Sequence, residues 1–391
     1  MPWLHLHVDT DGLVKACCNA NIVLGDINSQ SIQEIWQDEP IRKFRKFLIE
    51  GGKDKRCRSC FSKEEAGKSS MRTETNQKFE HRMHWVHETD IDGKSVKAKP
   101  VYFDIRFNNL CNLRCRTCWH GASSSWFEEA KLLKQNFGNK PIIEASKDSS
   151  RFVKELLDQG VEVEEIYFAG GEPLMMKEHY DWLEGLIQQG QTKVHLRYNS
   201  NLSVLKLKGR SALDLWMHFE RVTVSASIDH VGAEGEYIRK GVSWKGFVDN
   251  MKTIKTKAPH VKLEIAPTVS VFNVSSLPDL HRYFVEEKLI DIDSVYLNLL
   301  SRPDYYNIKV LPEMVKVQVG QSMEKHVQWL VAQGAKKSLI NEYKALIQFM
   351  NKDDWSSKLP KLKKQLEVLD GLRGESFHQI FPELSQVLDP S

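Results

Sequence analysis

From residue 101 onward, short apolar or alternating runs recur between longer stretches whose apolar residues return every three or four positions. These are the periods of strands and of helices. The strand-like runs cover 101–107, 163–169, 193–199, 221–228, 261–271 and 292–299. Between them, helical spacing covers Trp126 to Gln135, Arg151 to Asp158, His179 to Gln189, Ser211 to Phe219, Trp244 to Lys257 and Leu277 to Glu286. Six such alternations predict a parallel α/β architecture, with functional residues at the C-terminal strand ends. Ahead of residue 101 the pattern differs. Alternation over His7 to Val14, broken by Asp11-Gly12, predicts a hairpin whose return strand leads to Cys17 and Cys18. Ser31 and Glu34 have capping-box spacing, and a helical pattern then runs towards Cys57. Residues 61–100 are polar and read as a linker or solvated helix. After residue 300, Met323 to Val331, Ser338 to Met350 and Leu362 to Leu372 predict a largely helical tail.

The 391 residues suffice for two or three domains, and the 41% hydrophobic and 27% charged composition is that of an ordinary globular protein. No apolar run reaches the length of about 18 residues that a membrane span needs. Met1 to His7 lacks the basic start and apolar stretch of a secretory signal, so the expected location is cytoplasmic. A net charge of +3 is too mild to indicate nucleic-acid binding. The basic run Lys358 to Lys364 reads as a solvated helix face.

Chemistry concentrates in the seven cysteines, all in the first third of the chain. Cys111, Cys115 and Cys118 form a C-x3-C-x2-C cradle. Structural zinc sites are closed by four protein ligands, and iron–sulfur clusters normally take four thiolates. Three thiols leave one coordination position open. Cys17, Cys18, Cys57 and Cys60 form a second group, read either as a zinc ribbon or as a cluster site. Neighbouring residues of a strand face opposite ways, so one of Cys17 and Cys18 is expected to be a spectator. His81, His84 and His87 complete no convincing ligand set.

The cradle follows the strand-like Val101 to Phe107, and Gly170-Gly171-Glu172-Pro173 follows another strand about 50 residues later. Together they resemble the signature of radical SAM enzymes. The resemblance implies a partial (β/α)6 TIM-like barrel and a [4Fe-4S] cluster on Cys111, Cys115 and Cys118, with S-adenosylmethionine (SAM) on the open iron. It also implies reductive SAM cleavage to a 5′-deoxyadenosyl radical for hydrogen abstraction. Gly170, Gly171, Glu172 and Pro173 would hold the methionine amino group, and Asn201, Ser227 and Arg239 would contact the rest of SAM. The aromatic residue usual before the third cysteine is replaced by Thr117, with Trp119 just beyond.

Asp11 to Cys17, Leu24 to Ile27, Ser31 to Trp36 and the closing Cys57-x2-Cys60 resemble a SPASM or twitch segment. Such segments normally follow the barrel; here the segment precedes it, with too few cysteines for the full SPASM set. This implies a second, auxiliary [4Fe-4S] cluster on Cys17, Cys57 and Cys60, with Cys18 as the alternate. The expected organisation is a twitch-like module over 1–75, a linker over 76–100, the barrel over 101–300 and a helical extension over 301–391. The implied function is peptide or protein modification, with small-molecule rearrangement or oxidation as the alternative substrate class. An electron donor such as flavodoxin or ferredoxin is implied. A zinc-stabilised binding protein is the reading from a different class.

Overall fold

The computed structural model describes residues 1–65, 69–135, 138–159 and 163–388. The chain divides into two compact units, one comprising 1–111, 138–198 and 206–222, the other 112–137, 199–205 and 223–391.

The first unit is built on strands β1 (His5–Val8), β2 (Leu13–Cys17), β3 (Ala20–Asp26), β4 (Tyr102–Ile105), β5 (Glu165–Phe168) and the first part of β6 (His195–Ser200). They lie in the order β3-β2-β1-β4-β5-β6. The hairpin pairs are antiparallel, whereas β1-β4, β4-β5 and β5-β6 are parallel. Each central strand alternates an apolar residue on one face with a polar residue on the other, as a period of two requires. Phe103, Phe107 and Phe168 meet the buried Trp182 of helix Lys177–Gln188 edge-on, and Phe168 also stacks on Tyr198. On the opposite face, strand register places His7, Asp104, Tyr167 and Arg197 in one row.

The pairing of β1 with β4 is the main departure from the sequence expectation. The hairpin is present, with its turn at Gly12, but its first strand adds in parallel to the barrel strands. His5 and His7 look polar in sequence, yet β1 is buried throughout. Residues 76–100, expected as a linker, also pack: Phe79, Trp85 and Ala98 form a cluster with Trp3, Leu4 and Val101. Ser31 and Glu34 make the full capping box of helix Ile32–Gln37.

In the second unit, the strand Arg221–Ala226 pairs in parallel with Lys262–Ile265 from Thr223 onward. The expected strand 261–271 is interrupted at Ala266-Pro267, where proline supplies no N–H for the ladder. It resumes as Thr268–Val269, pairing with Asn298–Leu299, while Val295 bridges to Ile265. The expected strand 292–299 is therefore reduced to these fragments. Helices Trp244–Lys257 and Leu277–Glu286 have the expected bounds, the first capped by Ser243 and the second carrying Pro278 near its start. The tail contains Glu313–Ala332, Lys337–Met350 and Leu359–Arg373. No helix among the described residues is long and apolar enough to cross a membrane.

Candidate active site and cysteine centres

In the first unit, the residues leading to Cys111 are fixed by local side-chain bonds. Asn108 Oδ1 accepts from the Leu110 N–H at 2.9 Å, while Asn109 accepts from the Ile143 N–H at 2.8 Å and donates to the Pro141 carbonyl at 3.2 Å. The Leu110 carbonyl receives the Glu172 N–H at 2.7 Å. The glycine-rich turn after β5 is thereby tied to the residue beside the first cysteine. Gly171 has φ +23°, and a Cβ there would lie 2.3 Å from the Leu110 oxygen, so only glycine permits this approach. Glu172 is buried, and its carboxylate accepts from the Leu174 N–H at 3.1 Å, capping the turn Pro173–Met175.

Cys115 and Cys118 belong to the second unit. The Arg114 and Arg116 N–H groups donate to the carbonyls of Lys240 and Ile238, each at 2.8 Å, and Trp126 Nε1 donates to the Cys115 carbonyl at 3.0 Å. These bonds place Arg239 beside the loop, with one guanidinium nitrogen 3.9 Å from the Cys115 sulfur. Arg239 is also held by Asp229, at 2.8 and 3.0 Å. Asp229 accepts from the Thr268 N–H at 2.7 Å, and its own carbonyl receives the Asn273 side-chain amide at 3.0 Å. Hydrogen bonding from Cys118 lowers the Cys115 thiol pKa, and the Arg239 charge adds to this against the effect of burial. Burial opposes the charge of Arg239 too, but Asp229 more than offsets it.

The remaining candidates for SAM contact lie in the same unit. Asn201 donates to Asn112 Oδ1 at 3.1 Å and accepts from the Ser203 N–H at 2.9 Å. The Ser227 N–H donates to the Ser200 carbonyl at 2.7 Å, and the Ser225 hydroxyl donates to Glu264 at 2.5 Å. Trp119 is 61% exposed. Arg239, a candidate for SAM contact, has its guanidinium between Asp229 and the Cys115 sulfur.

The N-terminal group lies in the first unit, where Cys17, Cys57 and Cys60 line a cavity of about 370 Å³ together with Trp3, Leu4, Phe44, Leu48 and Phe79. Cys17 ends β2, and Cys57 and Cys60 straddle the start of helix Arg58–Glu65. Burial raises the Cys17 thiol, and burial followed by the charge of Cys17 pushes Cys57 up to about 11. Cys18 lies outside this lining, in the hairpin turn, with its sulfur 4.0 Å from that of Met71. Cys18 is exposed, unlike Cys17, Cys57 and Cys60. Both sets of three thiols offer the soft donors that an iron–sulfur cluster takes. Among the described residues no three His, Cys, Asp or Glu side chains converge on a point that would hold a single ion. Cluster thiolates bind separate irons and need no such convergence.

One polar group escaped the sequence reading. Asp104 is 1% exposed and meets His7 Nδ1 at 2.9 Å. Burial alone would raise its carboxyl pKa, but His7 and Arg106 hold it below the usual range. The alternation in His5-Leu6-His7-Val8 was the available signal, and it matches the polar row of β4, β5 and β6.

The iron–sulfur cluster-binding domain called SPASM matches residues 1–61, and the Radical SAM superfamily matches residues 105–266. Residues 105–266 thus form a radical SAM superfamily domain of α/β partial-barrel type, and the SPASM segment lies ahead of it. Among solved structures it is similar to anSMEcpe with bound AdoMet, at 16% identity over 61% of this chain and 62% of that one, with a TM-score of 0.42. Streptococcus suis SuiB bound to S-adenosylmethionine is 16% identical over 76% of this chain and 60% of that one, with a TM-score of 0.43. SuiB bound to its precursor peptide SuiA is 14% identical over 85% and 71%, with a TM-score of 0.42. The chain thus spans less than two thirds of the length of anSMEcpe. No curated protein matches it.

Proposed function

We propose that this chain is a radical SAM enzyme that modifies a peptide or protein, with Cys111, Cys115 and Cys118 holding the catalytic cluster and Cys17, Cys57 and Cys60 an auxiliary one. The observation that carries this reading is the C-x3-C-x2-C loop inside the matched superfamily span, with Arg239 placed against its central thiol. When bound, the cluster and SAM supply a reductively generated 5′-deoxyadenosyl radical that takes a hydrogen atom from the substrate. The protein's part is positional and electrostatic. Arg239 stabilises the Cys115 thiolate, Asp229 orients Arg239, and the Gly170-Gly171 backbone gives SAM a close approach. Asn201 and Ser227 line the strand ends where the remainder of SAM would rest. The substrate class rests on the SPASM segment, whose family resemblance implies peptide or protein substrates. Electrons come from a donor such as flavodoxin or ferredoxin, in the cytoplasm.

Anaerobic reconstitution with iron and sulfide, followed by SAM and dithionite, should yield 5′-deoxyadenosine. Cys115→Ala should abolish that product, whereas Cys57→Ala should lower the iron content and retain some SAM cleavage. A colourless protein holding only zinc would overturn the reading. For the substrate, co-expression with short peptides encoded beside the gene should give products that have lost hydrogen, detected by mass spectrometry; unmodified peptides beside an active SAM-cleaving enzyme would count against the peptide class.

A further inference from the structure

The helical tail carried no chemistry that sequence could reveal, yet its last part binds the cysteine loop through buried charge. Arg116, between Cys115 and Cys118 in sequence, has a side chain with 0% exposure. Its guanidinium bridges two carboxylates of the tail, Asp370 at 2.5 Å and Glu375 at 2.7 Å, and lies over the Tyr237 ring at 3.6 Å. Each partner is fixed in turn. The Tyr237 hydroxyl donates to Asp370 at 2.8 Å, the Phe377 N–H donates to the other Asp370 oxygen at 2.6 Å, and Lys240 pairs with Glu375 at 2.8 Å. Gly374, at φ +62°, ends helix Leu359–Arg373 and turns the chain between the two acids. A second contact runs alongside. Arg373 pairs with Glu129 at 2.7 Å and lies over Trp126 at 4.9 Å, and Glu129 also receives Arg114 at 3.0 Å. Trp126 is the residue that donates to the Cys115 carbonyl.

We propose that the segment from Asp370 to Phe381 is a strap that sets the geometry of the cluster-binding loop, with Asp370 and Glu375 as positioning residues acting through Arg116. A buried, paired charge gains little net stability over an apolar replacement, but removing one partner is costly and its geometry is specific. Arginine suits the role because its planar fork satisfies two carboxylates at once. Through Lys240 the same strap steadies the turn after helix Gly232–Ile238 that presents Arg239 to Cys115. The proposal rests on Cys111, Cys115 and Cys118 holding the catalytic cluster.

The test compares the full-length reconstituted protein with the double variant Asp370→Asn, Glu375→Gln, and with Asp249→Asn as a control in an exposed ion pair. The readouts are iron loss to a ferrous chelator, the midpoint potential and the low-temperature EPR signal of the reduced cluster with and without SAM. The strap predicts iron loss from the catalytic site faster by on the order of tenfold, a shifted potential and an altered response to SAM, with auxiliary iron retained. Wild-type chelation kinetics and potential in the double variant would overturn it. If the double variant does not fold, Glu375→Gln alone, which keeps the Asp370 contact, should show the same changes in smaller degree, and wild-type behaviour there overturns the strap equally. Cys115→Ala separates the two ideas: survival of the SAM-responsive signal in that variant refutes the cluster assignment, whereas its loss beside an unaltered double variant refutes the strap alone.

Discussion

The two groups of thiols in this chain meet opposite electrostatic surroundings. Cys115 has an arginine 3.9 Å from its sulfur and a thiol held below its ordinary pKa, while Cys17 and Cys57 border a largely apolar cavity that raises theirs. Both offer sulfur ligands, but only one is prepared for the charged form. A fixed positive charge favours the thiolate at the catalytic centre before metal arrives, whereas at the auxiliary thiols the metal itself must displace the protons.

Removing the prepared charge should have the largest effect. Arg239→Met leaves Asp229 buried without its cation and costs on the order of 3–5 kcal/mol, so the melting temperature and the iron held at the catalytic site should both fall while auxiliary iron stays. An unchanged melt with full iron would show that the arginine does not distinguish the two groups. A smaller effect is expected from pH. A thiol must lose its proton to bind metal, so a raised pKa makes loading depend more steeply on pH. Between pH 6.5 and 8.5, iron uptake by the auxiliary site, isolated in Cys115→Ala, should rise more than uptake by the catalytic site, isolated in Cys57→Ala. Equal slopes, measured by iron content after reconstitution, would break the comparison. The smallest effect is expected at Cys18: Cys18→Ser should leave auxiliary iron at the wild-type level, while Cys17→Ser should lower it, and iron loss in the first variant would return Cys18 to the ligand set.

Much of this was legible because the relevant signals are local. The cysteine spacings, the glycine pair after β5 and the helices Trp244–Lys257 and Leu277–Glu286 each announce themselves within a dozen or so residues. What stayed hidden depends on contacts far apart in sequence. Asp370 and Glu375 are ordinary acids in a polar tail until folding brings them to Arg116, 254 and 259 residues away. The pairing of Arg239 with Asp229 spans only ten residues, but nothing in the local pattern marks the two side chains as partners. In β1 the misleading element was histidine, which reads as polar but is buried here, where desolvation lowers the pKa of His5 to about 3.

The register of β1 beside β4 has a consequence for how this protein can be taken apart. An N-terminal cluster segment invites the view of a detachable cartridge, to be deleted or moved to another scaffold. Here, cutting at residue 61 would strip β4 of its parallel neighbour along His5↔Tyr102 to Val8↔Ile105 and bare a row of unpaired N–H and C=O groups. Such an edge recruits other chains. A truncation meant to isolate the barrel should therefore aggregate, and a successful graft would have to carry its own strand for that edge.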